Sequence, residues 1–207
     1  MRMRRFIVTT AAAALLATAL APTALAGQTV YNSSGSWTEA DAWFDDGSYV
    51  VAYTLQDGGA AVDFGRWGWE EVICGYAGHG NNAVPIYGWI ETGRFGYGPA
   101  DFVFDGKLAG AHVAATIETW GYTYESCTDT FTDLGPATAV IDLDFTATGP
   151  LVKESGTYKF HIPSEYNAHS RFSVAYRDQA VSGTIDGAAV TGGGVLGKIK
   201  YADHANG

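Results

Sequence analysis

Between residues 139 and 146 the chain alternates strictly: Ala139, Ile141, Leu143 and Phe145 are set against Val140, Asp142, Asp144 and Thr146. Successive side chains of a strand point to opposite sides, so this period of two predicts a half-buried strand. Phe172, Val174 and Tyr176 repeat the pattern against Ser173, Ala175 and Arg177. Lys107–Trp120 does so with Ala109, Ala111, Val113, Ala115 and Ile117. Shorter β-branched and aromatic runs predict strands at Ser48–Leu55, Ala61–Phe64, Trp69–Ala77, Val84–Glu91, Val181–Ile185 and Val195–Tyr201. Asp57-Gly58-Gly59, the Gly78–Asn82 loop, Asp186-Gly187 and Gly192–Gly194 supply the turn signals between them. Only Thr38–Phe44 reads as a brief helix, capped by Ser36 or Thr38. Ile141, Leu143, Phe145, Phe172, Val174 and Ile185 are the expected core.

Roughly eight to eleven short strands without a linker or repeat predict an all-β, single-domain antiparallel sandwich or barrel, with at most one short helix. That domain covers residues 27–207. Residues 1–26 read as a signal peptide: Arg2, Arg4 and Arg5 precede an apolar run from Phe6 to Leu20, and Ala24-Leu25-Ala26 is a small-x-small cleavage site. The run is shorter than the ~20 apolar residues that span a bilayer, so no membrane anchor is expected. Cleavage leaves 181 of the 207 residues, with 9 Lys/Arg against 22 Asp/Glu and a formal charge of −13. A surface of that average charge repels polyanions and argues against nucleic acid as a partner. Cys74 and Cys127 are the only cysteines. In an exported, oxidised chain an even count predicts a disulfide between them.

Composition sharpens the candidate chemistry. The chain is 47% apolar, 14% aromatic and only 16% charged, which excludes a disordered protein. All six tryptophans lie within residues 31–131, leaving a second half of smaller, glycine-rich grain. Trp67 with Trp69, Tyr87 with Trp89, and Trp120 with Tyr122 are spaced two apart, so each pair shares a strand side. On Val84–Glu91, Ile86 and Ile90 suit the core, placing Tyr87, Trp89 and Glu91 on the other side. Flat rings with a polar handle are what sugar C–H faces and apolar ligands stack on, and these six are the candidate ligand-binding residues. A hydrolase would need two carboxylates about 5–10 Å apart, and Glu91, Glu118 and Glu125 are the candidates. His79, His112, His161, His169 and His204 lack ligand spacing, and no nucleophile elbow, phosphate loop or calcium-loop motif is present. No metal and no cofactor are therefore expected.

Two stretches carry resemblances. Ile86-Tyr87-Gly88-Trp89-Ile90-Glu91 resembles the nucleophile strand of small secreted jelly-roll xylanases, with Ile86 where their glutamate stands. The resemblance therefore lacks its catalytic residue. Ala139–Leu151, His169-Ser170-Arg171-Phe172, Tyr176–Ala180 and Val181–Ile185 resemble a group of secreted actinobacterial β-rich proteins with no assigned function. This implies export and a β fold and carries no activity across. The expectation is a secreted, extracellular, non-catalytic β-domain that takes a carbohydrate or other small or apolar ligand on its aromatic half. A small glycosidase-like hydrolase and an interaction protein without a small ligand are the alternatives.

Overall fold

The computed structural model describes residues 30–78, 82–162 and 166–206, so the signal-peptide segment lies outside the described residues. Among these described residues ten strands follow one another: β1 (Val30–Phe44), β2 (Ser48–Thr54), β3 (Ala60–Ala77), β4 (Val84–Pro99), β5 (Asp101–Phe104), β6 (Gly110–Glu125), β7 (Thr130–Ala147), β8 (Val152–Ile162), β9 (Tyr166–Ile185) and β10 (Ala188–Asn206). All pairings are antiparallel. Strand β5 continues the track of β4 along β6, and β8 continues that of β7 along β9. Because β10 pairs with both β9 and β1, the circuit closes into an up-and-down barrel of eight tracks. Closure removes the edges that a sandwich would keep.

The inward side of the barrel is its core. Val50, Val62, Phe64, Val113, Ile141, Leu143, Ile185 and Leu196 are fully buried there, beside the small Ala40, Ala42 and Ala52 that let the wall close tightly. Arg66 and Arg94 face each other in register at one mouth, with Phe64 beneath both guanidinium groups. Arg94 binds the Asp186 carboxylate at 2.6 Å, donates to the Thr119 hydroxyl at 2.9 Å and reaches the Thr138 carbonyl. Burial raises the Asp186 pKa, but the Val140 amide and Arg94 outweigh it and hold the carboxyl below the usual range. Arg94→Ala should therefore cost about 2 kcal/mol at neutral pH, less than for a fully buried pair because both groups keep some solvent. The deficit should shrink in acid as Asp186 is protonated, which urea unfolding at pH 7 and pH 3 would check. At the other mouth, buried Gln179 donates to the carbonyl of Leu108, a buried residue held at φ 57°.

The register also makes the fold longer than its barrel. Strand β2 has seven residues, and β1 pairs with it only through Glu39–Trp43. Its neighbours overrun it at opposite ends. One end extends as a four-stranded flap, β3-β4-β6-β7, and the other as a second flap, β8-β9-β10-β1.

Several expectations are corrected. Thr38–Phe44 is strand, because Ala40, Ala42 and Phe44 alternate inward while the backbone pairs with β10 on one edge and β2 on the other. Phe172 and Val174 leave the core: on β9 the inward phase is set by Gln179, Val181 and Ile185, which puts both on the outward side. Gly192–Gly194 lies within β10 and is not a turn. A Cβ at Gly192 would stand 2.3 Å from the Trp43 carbonyl oxygen, and one at Gly194 2.2 Å from that of Asp41, so glycine permits close approach of β1. Asp186-Gly187 is the expected two-residue hairpin turn, with φ of 55° and 78°.

Candidate functional site

On the outward side of the first flap, alternation places Trp67, Trp69, Glu71 and Ile73 of β3 beside Gly93, Glu91, Trp89 and Tyr87 of β4, pair by pair in register. Each glutamate thus faces a tryptophan: Trp69 opposes Glu91, and Glu71 opposes Trp89. Directly opposed residues are ~5 Å apart at Cβ and diagonal ones ~7–8 Å, so the two tryptophans and two carboxylates form a small checkerboard. A recess of about 550 Å³ is lined by Trp67, Trp69, Tyr87 and Trp89, by Glu71 and Glu91, and by Gly68 and Gly88. Nothing covers it. Trp69 is 76% exposed, Tyr87 58%, Trp89 49% and Trp67 46%.

Beside the recess a continuous ladder of rings crosses from β2 to β7. Tyr49 stacks on Trp67 at 5.3 Å, Trp67 meets the Phe95 ring edge-on at 4.7 Å, and Phe95 stacks on Tyr122 at 6.2 Å. Tyr122 then stacks on Phe131 at 5.2 Å and leans on Trp120 at 5.5 Å. Glycine makes this possible. Tyr49 lies directly opposite Gly65 and Tyr122 opposite Gly93. A Cβ on either glycine would stand 2.1 or 2.3 Å from the ring, so the ring lies flat across the neighbouring strand. The Tyr122 hydroxyl donates to Glu91, and that bond, ahead of partial burial and the Glu91 charge, raises its pKa. Ladder and recess are therefore joined through Glu91.

All six predicted aromatic residues share this side. Trp67, Trp69, Tyr87 and Trp89 line the recess, while Trp120 and Tyr122 belong to the adjoining ladder. Tyr49, Glu71, Phe95 and Phe131 are additions that only the register reveals. Ile86 is 49% exposed and does not enter the core. The carboxylates proposed for hydrolysis do not converge. Glu125 pairs with Ile90 and points to the reverse side. Glu118 shares the side of Glu91 but lies six residues from Tyr124, the partner of Glu91, or ~20 Å along the strand. Of the histidines, His112 hydrogen-bonds Asp144, His161 Asn167 and His204 Asn32, while His169 of β9 stands directly opposite His204 of β10 with His161 on the same side of that flap; His79 lies outside the described residues.

Cys74 and Cys127 are disulfide-bonded on the reverse side of the flap. Among the described residues no helix is long and apolar enough to cross a membrane. Fold and site together define a closed antiparallel barrel bearing an open, ring-covered flap. Comparison with known proteins finds no matching family model, no matching curated protein and no matching solved structure.

Proposed function

We propose that this is an exported, non-catalytic binding protein that holds a neutral, hydroxyl-rich ligand, a glycan chain above all, on the ring-bearing side of its first flap. The carrying observation is the recess itself: four exposed aromatic side chains, two carboxylates and no cationic residue in one lining. Rings stack on sugar C–H faces, carboxylates accept hydroxyl hydrogen bonds, and two negative charges without a cation disfavour an acidic ligand. Same-side positions repeat every ~7 Å along a strand, which suits successive units of an extended chain. Export is supported by the N-terminal sequence pattern and by the disulfide, a bond of oxidising compartments. Glu91 is engaged as the acceptor of the Tyr122 hydroxyl, an arrangement suited to holding a ligand rather than delivering a proton to a leaving group.

Titration with soluble neutral polysaccharides and cell-wall oligosaccharides, read by tryptophan emission, tests the proposal. A binding chain should shift the emission, and Trp69→Ala and Trp89→Ala should each weaken affinity by about 1–3 kcal/mol. Emission unchanged across the panel overturns the proposal in favour of a protein-facing surface. Binding that survives both substitutions overturns the placement.

A further inference from the structure

The second flap has a charge pattern of its own. Where β8, β9, β10 and β1 run past the barrel, the side that continues the barrel interior carries Lys153, Lys159, Arg171, Lys198 and Lys200, all exposed. That is five of the nine Lys/Arg that follow residue 26. The acids of the same segments, Glu39, Glu154 and Asp203, fall in the opposite phase of their strands. Alternation has sorted the charges. None of the five cations makes an ion pair among the described residues. Between them stand Ser36, Ser155, Thr157 and Ser173, whose hydroxyls donate hydrogen bonds.

The spacing is that of a field. Lys153 and Lys198 both pair with Ala175 and so lie two strands apart, ~10 Å, while Lys198 and Lys200 are ~7 Å apart along β10. Lys159, six residues beyond Lys153, extends the band to ~20 Å. A net charge of −10 averages over this segregation and conceals it. We infer that this side of the second flap is a binding surface for a linear acidic polysaccharide, one bearing carboxylate or sulfate groups along its length. Charge complementarity argues for a polyanion. The described side chains of this surface include no phenyl, phenol or indole ring; its flat rings are the imidazoles of His161, His169 and His204 beside Lys159, a smaller stacking platform than large aromatics, which disfavours single-stranded nucleic acid. Nor do they include a large apolar side chain to enter a bilayer, which disfavours a membrane. The surface is separate from the aromatic recess, and neither proposal depends on the other.

Binding of the full chain to fluorescent alginate and dextran sulfate at 20 mM NaCl tests this, with uncharged dextran, a thymidine 20-mer and phosphatidylglycerol vesicles as competitors. Both acidic polymers should bind, uncharged dextran should not compete, and 300 mM NaCl should abolish binding. Combined Lys153→Glu, Arg171→Glu, Lys198→Glu and Lys200→Glu should weaken binding by at least about a hundredfold, whereas Lys107→Glu, outside the flap, should not. All four sites are exposed, and far-ultraviolet circular dichroism would verify that the quadruple variant keeps its strands. No binding at 20 mM NaCl, or undiminished binding by the folded quadruple variant, overturns the inference. So does more effective competition by the oligonucleotide or the vesicles than by either acidic polymer in unlabelled form.

Discussion

Replacing Cys74 and Cys127 together by serine is expected to lower the unfolding free energy by up to about 4 kcal/mol, the loop-closure entropy for two residues 53 apart in sequence. The geometry says where the loss is felt. Between β3 and β4 the register runs Ile73 to Tyr87 and then Gly75 to Ile86, leaving Cys74 as the extra residue of a bulge. A bulge re-aims its side chain, here across β4 toward Cys127 in the turn after β6. The two sulfurs pass over Gly88: a Cβ there would stand 2.4 Å from Cys74 Sγ and 2.8 Å from Cys127 Sγ. The bond thus staples the flap from behind, while Tyr87 and Trp89 project from the front. Reduction should release amide protection in residues 69–77 and 84–89 and leave the barrel strands around Val113 and Leu143 protected. Gly88→Ala should strain the same place. Flap amides equally protected in reduced and oxidised protein would contradict this account.

Asp41→Asn is expected to raise stability at pH 8 and to flatten its dependence on pH. Asp41 points outward from β1 yet is only 5% exposed, in a tight spot formed with Glu39, Tyr176, Val195 and Ile199. One of its carboxyl oxygens, Oδ1, is buried without a hydrogen-bond partner among the described residues. Burial, followed by the charge of Glu39 and a hydrogen bond to it, pushes its pKa up to about 8. The folded state therefore holds a proton that the unfolded chain has already released between about pH 4 and pH 8. Stability falls as pH rises through that window, by about 1.4 kcal/mol per unit, and so by about 4 kcal/mol at pH 7 as an upper limit. Asparagine stays neutral and keeps a donor for Glu39, removing the slope. Thermal melts of both proteins at pH 5, 6, 7 and 8 would show it. Parallel profiles would mean that Asp41 is not the group responsible.

What was legible in the chain was local. The alternation over Ala139–Phe145 placed Ile141, Leu143 and Phe145 on the buried side because a period of two is a property of one strand and needs no partner. The same rule put Trp67 with Trp69, and Tyr87 with Trp89 and Glu91, on common sides. Asp186-Gly187 was readable because left-handed conformations at two successive positions select those residues. Two cysteines left one pairing.

Tertiary structure decided everything that depends on which strand lies beside which. Alternation shows that Phe172, Val174 and Tyr176 share a side but not whether that side faces inward. Pairing of β9 with β7 and β10 made it the outward one. Thr38–Phe44 became strand because two neighbouring strands supply hydrogen bonds that an isolated seven-residue helix could not match. Pairing of the first strand with the last turned a sandwich-or-barrel choice into a barrel. Register also set Tyr49 over Gly65 and Tyr122 over Gly93, assembled the ring ladder, and separated Glu91 from Glu118 and Glu125. Side-chain period is written along one segment, whereas register and closure arise from backbone hydrogen bonds between segments far apart in sequence. Backbone groups are nearly the same in every residue, so the sequence of any one strand carries little record of its neighbour.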